Sequence, residues 1–549
     1  MPLDSAMTPS KTTETLPQTS AWQPLRIPIF RNLLIADLVS DIGTFMQSVG
    51  AAWLMTSLTS STLYIALIQT ASALPFFLLA LPAGSIGDIM DRRKLILGTE
   101  SWMLIMASAL AVFTIAGVMT PWLLLLLTFA ISAGDAVESP AWRAIFPELV
   151  SKKEDLQPAL ALNGIEFNLA RAVGPGLAGV IIAVVGIGTA FVLNAVSFLG
   201  VIAVIAGWKR HAKKSQLPAE TLGGATVAAV RYVRYSPAIR TLLFRSGFVI
   251  FFASALWALL PPIAKRLSDS SLGYGLLLGC FGVGAVIGAV VLQRARGKFS
   301  VEAVVSAATA AFGAVIVALA ALHSLWVLCI FIFFGGAAWT VFMSVFNTVV
   351  QTLSPDWVRA RVLAIYLFVF QGAIAIGSAI WGFAAEHTSA NAALMYSGFG
   401  IGACVLLRFV APLAGSAPDL DVWDHWKKPT VILDISPEQG PVLVTSEYMV
   451  SSEKVPEFLD AMYEYQRIRR RDGASRWGIF YDTEIPGRYF ESFIVDSWGE
   501  HERQHARFTV ADRKIEERVL GLAMQPPKTR HFISAKQGEG GNPAKPKSG

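Results

Sequence analysis

Charge is what this 549-residue chain has least of. Asp, Glu, Lys and Arg make up 15% of it, where a soluble domain carries roughly 25%. With 54% apolar residues and a mean hydropathy of +0.53, a soluble chain could not cover its own surface with polar groups. A string of soluble domains, the first suggestion of the length, is therefore excluded. Cysteine is nearly as scarce. Cys280, Cys329 and Cys404 are scattered through apolar runs, which rules out a disulfide framework or a thiolate metal site. A phosphate-cradling glycine loop, a nucleotide site and a Ser-His-Asp arrangement are also missing, which argues against an ATP-driven pump. No catalytic residue, metal or cofactor is expected. Residues 1–25, rich in Ser, Thr and Pro, lack a basic segment followed by an apolar one, so they read as a disordered cytoplasmic tail rather than a cleaved signal.

What is present is a succession of apolar runs from Phe30 to about Pro412, each near the roughly 17–25 residues that a bilayer-spanning helix needs. Spans are expected near 32–56, 62–83, 95–117, 122–141, 159–185, 188–208, 242–264, 273–293, 301–322, 325–349, 362–384 and 391–411. The chain is thus expected to be an all-α polytopic membrane protein with twelve transmembrane helices. Basic residues alternate between the two sets of loops. One set carries Arg26 and Arg31; Arg92, Arg93 and Lys94; Arg143, Lys152 and Lys153; Arg294, Arg296 and Lys298; and Arg359 and Arg361. The long loop 209–241 adds Lys209, Arg210, Lys213, Lys214, Arg231, Arg234 and Arg240, whereas the opposite loops carry only Lys265 and Arg266. Cations stay on the cytoplasmic side, so both termini are expected in the cytoplasm of a bacterium, with the spans in its inner membrane. The net charge of +6 is then a matter of topology, and nucleic-acid binding has no support.

The basic loop 209–241 divides the spans into an N-terminal half (26–208) and a C-terminal half (242–412). Two such halves, with a substrate site between them near the midplane, are the plan of one transporter class. The segment Gly84-Ser85-Ile86-Gly87-Asp88-Ile89-Met90-Asp91-Arg92-Arg93-Lys94 resembles the signature of the major facilitator superfamily, departing from it at Ile89 and Asp91. Physically, Gly84 permits close helix approach and Asp88 can accept charge-assisted hydrogen bonds or cap a helix. With Arg92 and Arg93 these residues are read as a conformational latch. In the fifth span, Arg171-Ala172-Val173-Gly174-Pro175-Gly176-Leu177-Ala178-Gly179 is similar to the Gly-Pro motif of facilitator-type antiporters and drug exporters, with Gly174, Pro175 and Gly179 as its marks. The block Gly134-Asp135-Ala136-Val137-Glu138-Ser139-Pro140-Ala141-Trp142-Arg143, followed by Phe146-Pro147-Glu148-Leu149-Val150, is similar to the enterobactin-exporter-like group, the transmembrane secretion effectors. That resemblance extends from about Trp22 to Ala535 and implies export of a small molecule without naming it.

Ionisable residues inside spans point to mechanism, since a charge at a helix centre costs roughly 2.5–3.5 kcal/mol on insertion and faces a cavity or a partner. Asp37 and Asp41 lie four apart on one face of span one. Asp41 is roughly 12 Å deep at 1.5 Å per residue, a position suited to loading and unloading a proton. Asp135 and Glu138 sit on span four, and Glu166 and Arg171 on span five. One expectation is that Asp135 or Glu138 neutralises Arg171.

After Pro412 the composition changes. Residues 413–440 read as a linker and 536–549 as a disordered tail. Residues 441–535 follow a β-α-β-β-α-β order that suggests a ferredoxin-like cytoplasmic domain, similar to antibiotic-biosynthesis-monooxygenase-type modules. His501-Glu502-Arg503-Gln504-His505 satisfies the pattern of zinc proteases, but a module this small lacks an active-site cleft. Trp498, His501, Gln504, His505 and Arg507 instead match a block of the suspected group. The chain is read as a secondary transporter that exports a siderophore, drug or metabolite by alternating access with proton antiport. Its partners would be the small-molecule substrate, protons and the lipid bilayer, and nothing in the sequence sets the oligomeric state. A solute importer of the same fold, or a non-transporting sensor acting through residues 441–535, are the alternatives.

Overall fold

The computed structural model describes residues 22–150, 152–209, 222–295, 297–413, 419–423 and 435–535, without the side chains of 80, 81, 84–89, 153 and 222–226. Six long helices come first: α1 (Pro28–Leu58), α2 (Thr62–Ile89), α3 (Arg92–Ile115), α4 (Pro121–Leu149), α5 (Lys153–Val184) and α6 (Ile187–Gly207). A shorter α7 (Leu222–Tyr235) leads to the second six, α8 (Pro237–Leu267), α9 (Ser271–Ala295), α10 (Val301–Ala321), α11 (Leu325–Thr352), α12 (Arg359–His387) and α13 (Ala390–Cys404), which continues into the single turn α14 (Leu407–Val410). Twelve of these are long and apolar enough to cross a membrane. A helix meets every backbone N–H and C=O internally, which a hydrocarbon surrounding demands. The first orphan N–H groups are met by side chains at several starts, with Asp91 accepting from Lys94, Thr120 from Leu123, Ser300 from Ala303 and Ser389 from Ala392.

The two halves repeat one packing scheme. In the first, α1 packs on α5 and α6, α2 on α4, and α3 on α4 and α6. In the second, α8 packs on α12 and α13, α9 on α11, and α10 on α11 and α13. Each contact has its counterpart six spans later, which is an internal duplication. The halves meet along two equivalent seams, α2 with α12 and α5 with α9. We call the face bearing the start of α1, α7 and the C-terminal region the terminal face, and the other the distal face.

Two features differ from the sequence expectation. The span-two helix does not end at residue 83 but runs to Ile89, so Gly84 and Asp88 lie on α2 rather than in a loop; their side chains lie outside the described ones. The basic loop 209–241 contains α7, whose Ala228, Ala229 and Tyr232 are buried. Its alternation of small apolar and basic residues is that of an amphipathic helix lying on a partner rather than of an extended loop.

The C-terminal region forms a four-stranded antiparallel sheet of β1 (Val442–Met449), β2 (Arg476–Tyr481), β3 (Arg488–Val495) and β4 (Lys528–Ile533) in the order β2-β3-β1-β4. With α15 (Val455–Asp472), α16 (Trp498–Arg507) and α17 (Val510–Leu522) this is the ferredoxin-like arrangement. Part of the expected linker belongs to it. Val422 bridges to Thr509, and Val510 N donates to Asp421 O at 2.9 Å. The domain is seated on the second half. Arg231 of α7 pairs with Glu500 at 2.9 Å and donates to Arg471 O at 3.3 Å. Arg507 stacks on Trp357, in the turn between α11 and α12, with the guanidinium carbon 4.4 Å from the ring centroid. Tyr232 packs edge-on against Trp357 and donates to Leu353 O at 2.9 Å.

Candidate functional site

Between the halves lies a cavity of about 300 Å³. Its wall draws on α1 (Phe45, Ser48, Val49, Ala52), α2 (Ile65, Ile68, Gln69, Ser72), α5 (Arg171, Pro175) and, from the second half, Trp257, Pro261, Tyr274, Leu278, Phe281, Gly282, Trp339, Phe370 and Ile374. The second half supplies a cluster of rings. Trp257 lies edge-on to Phe281 with centroids 4.7 Å apart and edge-on to Trp339 at 5.7 Å. The first half supplies the one cation of the wall among the described residues, Arg171.

Arg171 is not neutralised by Asp135 or Glu138. Among the described residues it makes no hydrogen bond, ion pair or cation–π contact. Glu138 instead accepts from Thr99 Oγ1 at 2.6 Å, and Asp135 interacts with Arg143, two turns along its own helix. The reason is packing. Helix α1 sits against α5 along its length, and Gly174 lies so close to it that an added Cβ would stand 2.7 Å from Phe45 Cβ. The face of α5 that carries Arg171 is thereby turned to the inter-half space rather than to α4.

The carboxylates gather on the terminal side of this cavity, within the first half. Asn163 Nδ2 donates to Asp37 Oδ2 and to Glu166 Oε2, both at 3.3 Å. Asp37 and Asp41 lie in each other's field, and Glu166 acts on both. Asp41 is one helical turn from Phe45 and so connects the cluster to the cavity. A member that the sequence reading missed is Glu100 of α3, 4% exposed and beside Glu138. It is the lone acid in the run Leu95–Leu110, so the rule that singled out Asp41 applies to it equally. Glu100 Oε2 and Glu166 Oε1 are buried without a partner among the described residues.

Helix α5 also forms the seam with the second half, and its Gly-Pro stretch makes the close approach possible. An added Cβ on Gly179 would lie 3.0 Å from Gly275 Cα, and one on Gly282 would lie 2.8 Å from Ala172 Cα. Ser271 Oγ donates to Gly179 O at 3.1 Å across the same contact. Small residues at such positions let helices pack backbone to backbone. Toward the distal face the halves are pinned by Glu386 of α12. Its carboxylate accepts from Thr62 N at 2.7 Å, Thr62 Oγ1 at 2.9 Å and Leu63 N at 3.3 Å, at the start of α2 where the helix dipole favours an anion. Lys265 Nζ donates to Thr56 O beside it. Arg92 and Arg93, read from the sequence as parts of a latch, find their partners inside the first half. Arg92 bonds Glu148 at 2.7 Å and Ala144 O at 3.1 Å, and Arg93 bonds Ile205 O and Ala206 O at 3.0 and 2.6 Å. They brace α3 against α4 and α6.

In the C-terminal domain His501 and His505 face each other, their Nε2 atoms 3.3 Å apart, while Glu502 is exposed. The acid that a zinc protease would need as base thus lies away from the two histidines. Among the described residues no set of three or more His, Cys, Asp or Glu side chains is arranged to hold a metal ion.

Two duplicated six-helix bundles with a cavity between them define a transporter of the major facilitator type. Solved structures agree on the fold. A bacterial homologue of the human lysosomal transporter Spinster, inward-facing and unoccupied, superimposes with a TM-score of 0.54 at 15% identity, covering 71% of this chain and 96% of that one. The nucleoside transporter NupG does so at 0.60 and 10% identity, covering 70% and 99%. Residues 19–539 match the transmembrane secretion effector family, and the chain belongs to it. Curated relatives include the staphyloferrin A transporter of Staphylococcus aureus, 24% identical over 46% of this chain and 64% of that protein, slightly under two thirds of its length. The multidrug efflux pump Tap of Mycolicibacterium fortuitum is 25% identical over 61% and 83%. The enterobactin exporter EntS of Salmonella typhi is 26% identical over 68% and 90%.

Proposed function

We propose that this protein is a proton-coupled antiporter that exports a small molecule across a bacterial inner membrane, with both termini in the cytoplasm. The observation that carries the proposal is the division of labour inside the first half. A cation without a partner among the described residues lines the inter-half cavity, and a carboxylate cluster that includes Asp41 stands one helical turn away. Carboxylates that can gain and lose protons next to a cargo site are the elements an exchange of proton for cargo requires. Asp37, Asp41, Glu100, Asp135, Glu138 and Glu166 form the proton-carrying set in this reading. Rocking of the halves about the α5–α9 and α2–α12 seams gives alternating access, and Asp88 on α2 belongs to the element that holds one state. The basic loops on the terminal face support cytoplasmic termini, and the names of two relatives, an exporter and an efflux pump, support the outward direction.

The test is transport in proteoliposomes under an imposed pH gradient, with a panel of aromatic acids, amphipathic cations and neutral metabolites, for the full chain and for a chain ending at residue 440. Cargo moving against the proton gradient supports antiport. Movement with the protons identifies an importer. Absence of any exchange with every class, in protein that is folded and inserted, turns the assignment toward a sensor acting through residues 441–535.

A further inference from the structure

Resting on that reading, we infer that the cargo is a compact aromatic carboxylate, held with its anion on Arg171 and its ring among the aromatic side chains of the second half. The polarity of the cavity carries the argument. Arg171 has no partner among the described residues, and neither do the Gln69 amide and the Tyr274 hydroxyl. Each of the three can donate, and the described residues of the wall include no carboxylate in return. A guanidinium held in an apolar wall without a counter-ion is costly, and a cargo carboxylate relieves that cost through two parallel N–H···O bonds. A cationic cargo would meet the reverse, a like charge in a desolvated space.

The rest of the wall selects for a flat ring. Phe45, Trp257, Tyr274, Phe281, Trp339 and Phe370 line the wall, and aromatic rings pair with an added ring in offset or edge-on geometries. A volume of about 300 Å³ is at the small end of ligand cavities, which suits one or two fused rings. The anion site belongs to α5 of the first half and most of the rings to α8, α9, α11 and α12 of the second. A single cargo therefore touches both halves at once, and its binding energy depends on their relative position, which is what coupling to a rocking motion requires.

The experiment measures equilibrium binding to the detergent-purified full chain of 2-naphthoate, 2-naphthamide, 2-naphthylmethylamine and cyclohexanecarboxylate. The parent should bind 2-naphthoate about tenfold or more tighter than each of the other three, the ratio expected for a charge-assisted pair and a stacked ring. Arg171→Gln should erase the difference between naphthoate and naphthamide while leaving naphthamide binding within about twofold, a built-in control for folding. Arg171→Lys should fall between them, since an ammonium keeps the charge without the fork. No preference for the anion in the parent, or an unchanged preference in Arg171→Gln, overturns the inference. The parent's ranking decides the matter even where a variant does not fold. If the anion preference holds but 2-naphthoate shows no counterflow in proteoliposomes, the cargo site stands and the transport reading fails. Counterflow without an anion preference does the opposite.

Discussion

The two halves of the bundle share one scheme of helix contacts and differ in where they keep their charges. In the second half the one buried charged side chain among the described residues is tied to a partner. Arg245, 2% exposed, forms a two-pronged pair with Glu302 at 2.7 and 2.8 Å and donates to Ala411 O. Glu302 also accepts from Leu413 N and Ser306 Oγ. In the first half Asp37, Asp41, Glu100, Glu138, Glu166 and Arg171 lie inside helices, and Glu100 Oε2 and Glu166 Oε1 are buried without a protein partner among the described residues. A tied ion pair has one arrangement, whereas a carboxylate held by one weak hydrogen bond can change its proton or its partner. In the proposed reading the first half therefore holds the chemistry. The second is a frame that offers rings to the cavity and a seat to the C-terminal domain.

The largest expected effect tests that division directly. Asp41→Asn should abolish transport driven by a pH gradient, a loss of at least about tenfold, while the thermal unfolding midpoint stays within a few degrees. Asp37→Asn, closer to the terminal face, should be milder. Unchanged gradient-driven transport in Asp41→Asn would place the proton elsewhere.

Next comes the contrast between the two arginines. Arg245→Met strands the Glu302 carboxylate and should cost about 3–5 kcal/mol, with most of it recovered in Arg245→Met/Glu302→Met. Arg171→Met breaks no pair and removes an uncompensated charge, so stability should be unchanged or raised. A double-mutant cycle of Arg171 with Asp135 or Glu138 should show a coupling close to zero, where a true pair gives about 1 kcal/mol or more. Thermal melts in detergent measure both, and a large Arg171–Glu138 coupling would break the comparison.

A smaller effect is expected at the seam. Gly179→Ala places a methyl group against Gly275 and should destabilise the closed packing by about 1–3 kcal/mol. Exchange rates should change, with cargo affinity preserved. Cysteine accessibility at the distal face, which reports the balance between states, checks it.

The smallest effect on the bundle concerns pH and the C-terminal domain. Burial, helped by the neighbouring histidines, holds the His501 imidazole down to about 3, and burial with the nearby Arg469 holds His505 down to about 4. Below the ordinary value near 6.5 the unfolded chain binds protons that the folded domain refuses. Stability is therefore full above that value and declines as pH falls toward 4. Hydrogen-exchange protection of residues 455–522 in the full chain, corrected for the pH dependence of the intrinsic exchange rate, should fall between pH 7 and pH 5 while protection in α8–α13 changes little. His505→Gln should weaken the dependence.

Periodicity and composition carried most of the architecture. Runs of about 20 apolar residues leave the backbone no choice but to bond within itself, so twelve helices are legible without knowing what each one touches. The period-two stretches Val442–Met449 and Arg488–Val495, separated by an amphipathic helix, carry the ferredoxin-like sheet for a similar reason, because a one-residue slip would turn every core side chain outward. Acids inside the spans such as Asp41 could be listed from the chain, and Glu100 could have been. Their partners could not. Whether Arg171 answers Asp135, Glu138 or an incoming anion depends on the rotation of α5 about its axis, which Gly174 against Phe45 and Gly179 against Gly275 set through contacts more than 90 residues apart in the chain. The seat of the C-terminal domain on Tyr232 and Trp357 is likewise a match of surfaces from three distant segments. Local pattern determines what a segment becomes, because backbone bonding and solvent act on it residue by residue. Close packing between segments decides which charges end up free, because only there do distant side chains compete for the same space.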